Sequence, residues 1–123
     1  MELILPAKVD SFLVRHASHS YYQDLLTAGV RIYHYDKGLL HTKCVILDAS
    51  VSFFGTVNLD LRSLWLNFEM TLILYSESTS HDLAQLFDHY KRDATVIDLI
   101  RWHQRPLRYR FFENVTHLFS PLI

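Results

Sequence analysis

Apolar and polar positions fall into several distinct registers along the 123 residues. The opening "ELILP" is a short apolar run closed by Pro6 and reads as a strand. Between His16 and Ala28, the residues Ala17, Tyr21, Leu25 and Ala28 recur at helical spacing, and Gly29 stands where a left-handed C-terminal cap belongs. "VRIYHY" then alternates with a period of two, "DKG" turns the chain, and "HTKCVILD" predicts a strand rich in β-branched and aliphatic residues. "VSFFG" predicts another after a short turn at Ala49 and Ser50. "TVNLDLRSLWLN" reads as a loop entering a short helix, and "FEMTLILY" as a near-continuous apolar strand of the buried kind, with Glu69 its only charge. Thr79 and Asp82 have the spacing of a capping box for a helix whose stripe is Leu83, Leu86, Phe87 and Tyr90. A last helix from about Pro106 would carry Leu107, Phe111, Val115, Leu118 and Leu122 on one face. This mix of strands and helices predicts an α/β domain with a mixed β-sheet flanked by helices.

Composition adds a core and removes some partners. Half of the residues are hydrophobic, enough at this length for one globular domain over residues 1–123. The net charge of −1 gives no overall pull toward nucleic acid. Residues 1–98 hold 8 basic and 12 acidic side chains, whereas Arg101, Arg105, Arg108 and Arg110 face only Glu113 in the remainder. The segment 101–123 is thus basic and amphipathic. A single cysteine, Cys44, excludes an internal disulfide and a multi-cysteine zinc site. No apolar run reaches transmembrane length. The abrupt start at "ELILP" raises the expectation that the native polypeptide continues upstream of Met1.

The candidate chemistry lies in "HTKCVILDASVSFFGTVN". On strand geometry His41 and Lys43 share a face, placing an imidazole beside an ammonium. Thr56 and Asn58 follow a short hairpin later, and their hydroxyl and carboxamide can bond an anion that Lys43 attracts. A carboxylate buried at Glu69 needs a partner, and a histidine N–H is the available one. Together these groups describe a phosphate pocket with a nucleophile or acid, a cation, two polar donors and a group that sets the imidazole tautomer.

The segment "HTKCVILD" resembles the H-x-K-x-x-x-x-D signature of the phospholipase D superfamily, and "GTVN" the G-S-x-N that follows it, with threonine in place of serine. The spacing from His41 to Glu69 also fits that family's downstream glutamate. With "SYYQDLLTAGVRIYHYD", "NLDLRSLWLNFEMTLILY" and "RPLRYRFFENVTHLFSPL", nearly the whole chain is similar to the C-terminal half of bacterial cardiolipin synthases. The resemblance implies a half-domain of a two-lobed, pseudo-dimeric architecture. It makes His41 either the nucleophile that forms a phosphohistidine or the acid that protonates the leaving alkoxide. It gives Lys43, Thr56 and Asn58 the phosphoryl oxygens, Glu69 the other nitrogen of His41, and Asp48 a supporting structural role within the catalytic signature. It implies neither cofactor nor metal, since lysines neutralise the developing charge.

In-line displacement at phosphorus needs one group to attack and another, opposite, to protonate the leaving oxygen. One motif supplies half of that. The expectation is therefore a missing N-terminal motif-bearing half, or a second subunit, as partner. The implied activity is transfer of a phosphatidyl group between two phosphatidylglycerol molecules with release of glycerol, at the bacterial inner membrane, held there through regions outside this chain. The rivals are a homodimeric phosphodiesterase or nuclease, and an inactive truncated half. Twelve acids against eight bases in the body argue against nucleic acid.

Plainer readings stand beside these. An H-x-K pair by itself is an ordinary solvent-facing strand feature. Glu69 has Arg62 as an alternative partner, and Asn58 has a helix N-cap as an alternative role. Cys44 faces away from His41 and reads as a small core residue. His16, His19, His81 and His89 lack ligand spacing and read as surface residues. The tail arginines and Trp102 suit either a bilayer surface or packing and solvation, with packing preferred.

Overall fold

The structure, a computed structural model, describes residues 1–8, 12–58, 63 and 67–106, with residues 12–14 described by their backbone alone. Strand β1 (Glu2–Pro6) lies parallel to β2 (Arg31–Tyr35), with Glu2 opposite Arg31 and Pro6 opposite Tyr35. A parallel pair needs a crossover, and α1 (Phe12–Ser20) and α2 (Tyr22–Thr27) supply it. The sequence predicts one helix here; the chain makes two, broken at Tyr21. The break exposes Tyr21 and turns Tyr22 into the core. Gly29, at φ 83°, closes α2 as a Schellman cap. Its N–H donates to the Leu26 carbonyl at 3.0 Å and that of Val30 to Leu25 at 3.0 Å.

The remaining strands form a second sheet. β3 (Lys43–Leu47), β4 (Val51–Gly55) and β5 (Thr71–Tyr75) pair antiparallel in that order. The α/β class holds, but the strands divide into two three-stranded sheets, one mixed and one antiparallel. The mixed sheet is completed by β6 (Ala94–Val96), antiparallel to β2. Three residues leave too short an alternation for β6 to be read from sequence. β5, predicted as a buried strand, lies at a sheet edge with Leu72, Ile73 and Tyr75 exposed. On one face of this sheet Val45, Leu47, Ile73 and Tyr75 are all open to solvent.

Helix α3 (Glu77–Arg92) touches strands of both sheets. It starts earlier than the predicted Thr79 box, because the Ser76 hydroxyl accepts the Thr79 N–H at 3.2 Å. Buried Ser80 meets buried Ser52 of β4 hydroxyl to hydroxyl at 2.7 Å, so neither polar group is stranded. Near its other end Lys91 reaches Glu2 at 2.8 Å and Asp88 at 2.7 Å, while Arg31 pairs with Glu2 at 2.9 Å. These pairs are largely wet and fix position more than they stabilise.

Tyr22, Val30, Ile32 and Trp102 form the buried core, with Leu3, Leu5, Leu25, Leu26 and Ile97 around it. Trp102 belongs to a short helix, α4 (Leu99–His103), capped by the Asp98 carboxylate, which accepts the Arg101 N–H at 2.8 Å. Its ring stacks 4.9 Å from that of Tyr22 and carries the Arg105 guanidinium 3.2 Å above it. Trp102 and Arg105 therefore take the packing role. The helix predicted beyond Pro106, with Arg108 and Arg110, lies outside the described residues.

Two histidines read as surface residues are inside. His16 is buried, and the His19 ring lies 5.0 Å from Tyr22, 5.2 Å from Trp102, 6.0 Å from His34 and 6.3 Å from His16. Helical spacing puts them on the inner face of α1, a signal masked by their polarity. His81 and His89 are exposed. The Tyr22 hydroxyl sits 2.9 Å from Nε2 of His34. Burial pushes the His19 pKa down from 6.5 to about 4, helped by the charges of His34, Arg105, His16 and Arg15. Burial also lowers that of His34.

A histidine kept neutral in the fold binds fewer protons than the same histidine unfolded, so stability falls as pH drops from about 6.5 toward 4. Calorimetry across that range is expected to show the melting temperature declining below pH 6.5. His19→Gln is expected to flatten the decline; an unchanged slope would remove His19 as its source.

A candidate phosphate site at one end of the antiparallel sheet

Antiparallel pairing decides which residues share an end of the sheet. β3 begins where β4 ends and β5 begins, and Lys43, Gly55 and Thr71 form one row across the three strands. His41 precedes that row on β3, Thr56 and Asn58 follow it on β4, and Glu69 precedes it on β5. Residues 28 positions apart in sequence are thus gathered at one edge, within about two strand spacings of roughly 4.8 Å.

Lys43 is half-buried, and its ammonium folds back to donate to the His41 carbonyl at 2.9 Å. His41 lies ahead of the strand, so the two residues meet through this hydrogen bond and not through a shared strand face. The imidazole is exposed. Thr56 extends the β4–β5 ladder: its N–H donates to the Met70 carbonyl at 2.9 Å, and its hydroxyl accepts the Met70 N–H at 3.0 Å. That hydroxyl also donates to the Met70 carbonyl at 3.4 Å, so it is committed to backbone both as acceptor and as donor. The Asn58 carboxamide donates to the Ser63 hydroxyl at 3.5 Å, a side-chain contact and not the acceptance of a backbone N–H that an N-cap makes. The short helix predicted after Asn58 lies, except for Ser63, outside the described residues.

Glu69 is half-buried, and its carboxylate accepts from the Asn67 carboxamide at 3.3 Å. His41 and Glu69 are not hydrogen-bonded here. They stand ahead of strands on opposite edges of the sheet, with β4 between them. Arg62, the alternative partner, falls outside the described residues. Asp48 lies at the far end of β3, on the order of 17 Å along the strand from Lys43. There Asp48 and Ala49 take φ of 50° and 55°, and the Ser50 N–H donates to the Leu47 carbonyl at 3.1 Å. Three residues, 48–50, join paired Leu47 and Val51, and the first two are left-handed, a conformation aspartate tolerates well. Cys44 is half-buried, and burial pushes its thiol pKa up, against a role as thiolate.

Sequence reasoning passed over Met70 and Asn67. Met70 acts through its backbone, which leaves no side-chain signature. The only trace is Gly55, where an added Cβ would overlap the Met70 carbonyl oxygen and lie 2.8 Å from Cα of Thr71. The site as a whole offers a solvent-open imidazole, an ammonium tied to the same residue's backbone, a hydroxyl and a carboxamide. Such a set can hold an anion and attack or protonate it, but among the described residues no second histidine stands opposite the first.

The mixed α/β frame of two small sheets and flanking helices is that of a PLD-like domain. The chain belongs to the family described as "Cardiolipin synthase, PLD-like domain", whose model matches residues 1–91. It is 46% identical to Cardiolipin synthase A of Yersinia pseudotuberculosis and 48% identical to Cardiolipin synthase A of Klebsiella pneumoniae. Both alignments take in 100% of the chain and 25% of the relative, so the chain spans a quarter of the length of these curated proteins. No solved structure was found to match it.

Gly55→Ala is expected to destabilise the chain by about 2–4 kcal/mol, because the atoms it meets are backbone and cannot rotate away. Urea denaturation checks this. A loss under ~0.5 kcal/mol would mean that β4 and β5 separate freely at the site.

Proposed function

We propose that this chain is a catalytic half-domain spanning residues 1–123, including the basic segment 101–123, of a cardiolipin-synthase-like phosphatidyltransferase. The observation that carries the reading is the gathering of His41, Lys43, Thr56, Asn58 and Glu69 at one end of β3–β5, in a chain nearly half identical to Cardiolipin synthase A over its whole length. Lys43 and Asn58 bind the non-bridging oxygens of the phosphodiester, and Thr56 adds its hydroxyl. Glu69 orients His41 through its second ring nitrogen once substrate and partner complete the site. Asp48 serves the signature from a distance, by holding the β3–β4 hairpin.

In the proposed reaction one histidine attacks phosphorus of phosphatidylglycerol. The bond to the glycerol oxygen breaks, and the imidazolium of the second motif protonates the departing alkoxide. The hydroxyl of a second phosphatidylglycerol then attacks the phosphohistidine, gives its proton to the partner imidazole and releases the first. Two phosphatidylglycerols become cardiolipin and glycerol, with no cofactor or metal consumed. His41 supplies one of the two imidazoles. The second comes from another motif-bearing half, in the same polypeptide or in a second subunit. Relatives four times the length of this chain favour the same polypeptide. The enzyme works at the bacterial inner membrane; no described helix is long and apolar enough to cross one.

In the full-length protein His41→Ala is expected to lower phosphatidyl transfer by at least about a thousandfold, with circular dichroism unchanged. Retained turnover would remove His41 from the chemistry. Robust turnover by these 123 residues as a monomer, with mass set by light scattering, would overturn the need for a second motif.

A further inference from the structure

Glu69 is the acid of the candidate site, and packing gives its segment little support. Phe68 before it is wholly exposed and Met70 after it is 73% exposed, so neither neighbouring side chain anchors the chain at this point. Hydrogen bonds do that instead. Thr56 takes the Met70 N–H on its hydroxyl at 3.0 Å and gives its own N–H to the Met70 carbonyl at 2.9 Å, which fixes the backbone one residue past Glu69. Two residues ahead of Thr56's partner in the other direction, at the carboxylate itself, the Asn67 carboxamide donates to Oε1 of Glu69 at 3.3 Å. Among the described residues this is the only hydrogen bond that the Glu69 side chain makes.

The chemistry of the pair gives this contact a use. An ionised carboxylate only accepts hydrogen bonds, and a bond to an ionised acceptor is stronger than one between neutral groups. Asn67 occupies Oε1 and leaves Oε2 without a partner among the described residues. Asn67 is exposed, so its carboxamide fills no interior space; what it adds is the donor. A glutamate side chain turns about several bonds, and tying one oxygen restricts the directions in which the other can be offered. For a group whose task is to hold an imidazole by one ring nitrogen, that direction decides which tautomer the ring adopts.

We infer that Asn67 is a positioning residue for the reaction: its carboxamide holds Oε1 of Glu69 so that Oε2 is the oxygen offered to the ring N–H of His41. This rests on the reading of Glu69 as the group that orients His41. Asn67 acts through Glu69 and touches neither the phosphate nor the imidazole. A surface contact without consequence would instead leave turnover unchanged when the carboxamide is removed.

The test is a double-variant cycle in the full-length protein, with phosphatidyl transfer assayed on phosphatidylglycerol in mixed micelles. Asn67→Ala is expected to lower kcat about tenfold with KM within about twofold of the parent, because the group it acts on is needed in the transition state. Asn67→Asp keeps the shape but replaces the donor with a like charge, and is expected to lower kcat at least as much. In a Glu69→Ala background, Asn67→Ala is expected to change kcat by less than about twofold, since the carboxylate it positions is gone. The same tenfold loss in both backgrounds overturns the inference, as does a parental kcat in Asn67→Ala. So does an Asn67→Asp variant that recovers both the kcat and the melting temperature lost in Asn67→Ala, because Asn67 then serves by shape alone. A Glu69→Ala variant as active as the parent sinks the orienting role of Glu69 itself, a different outcome from independent effects of the two residues.

Discussion

The close approach of β4 and β5 at Gly55 is the constraint on which the candidate site depends. With no Cβ there, the Met70 carbonyl and Cα of Thr71 can come against the strand, and Thr56 can close the ladder through its N–H and hydroxyl. The row Lys43, Gly55, Thr71 is then held across all three strands. Everything proposed for phosphate binding sits on or just beyond that row. A side chain in the middle of it would separate Thr56 from Met70, and with them the two halves of the cluster.

The opposite end of the same hairpin explains the aspartate of the H-x-K-x-x-x-x-D pattern in physical terms. Its place is a left-handed turn, where a short polar side chain costs less than a branched one. The spacing from Lys43 to Asp48 is then the length of β3. His41 and Lys43 start the strand and Asp48 ends it, so the motif marks a strand of set length with chemistry at one end and a turn at the other. The hydrogen bond from Lys43 to the His41 carbonyl restrains the backbone of a residue whose ring is exposed.

Away from the site, the stable part of the chain is the packing of α2 and α4 on the mixed sheet around Tyr22, Ile32 and Trp102. Helix α3 joins it to the antiparallel sheet through buried Ser52 and Ser80. The antiparallel sheet, which carries the candidate site, has an outward face with Val45, Leu47, Ile73 and Tyr75 open. A domain with its core on one side and its chemistry and exposed apolar surface on the other is built in the manner of a component. That agrees with a chain spanning a quarter of its relatives.

Local pattern was sufficient for much of this molecule. Apolar runs, one period-two alternation and turn residues marked β1 to β5, Gly29 marked a helix end, and the order of His41, Lys43, Thr56, Asn58 and Glu69 marked the family and a candidate phosphate site. These features depend on neighbours in sequence or on spacing along one strand. The division into two sheets, the strand β6, and the exposure of β5 depend on which strand edges meet, which no single segment encodes. His16 and His19 read as surface because they are polar; Tyr22, His34 and Trp102, from three other elements, pack around His19, and His16 is buried beside it. Glu69 matched the family spacing, and its carboxylate accepts from Asn67 in this structure, a contact that spacing alone did not indicate. Residue identity set the chemistry available, and the lateral order of the strands decided which groups touch.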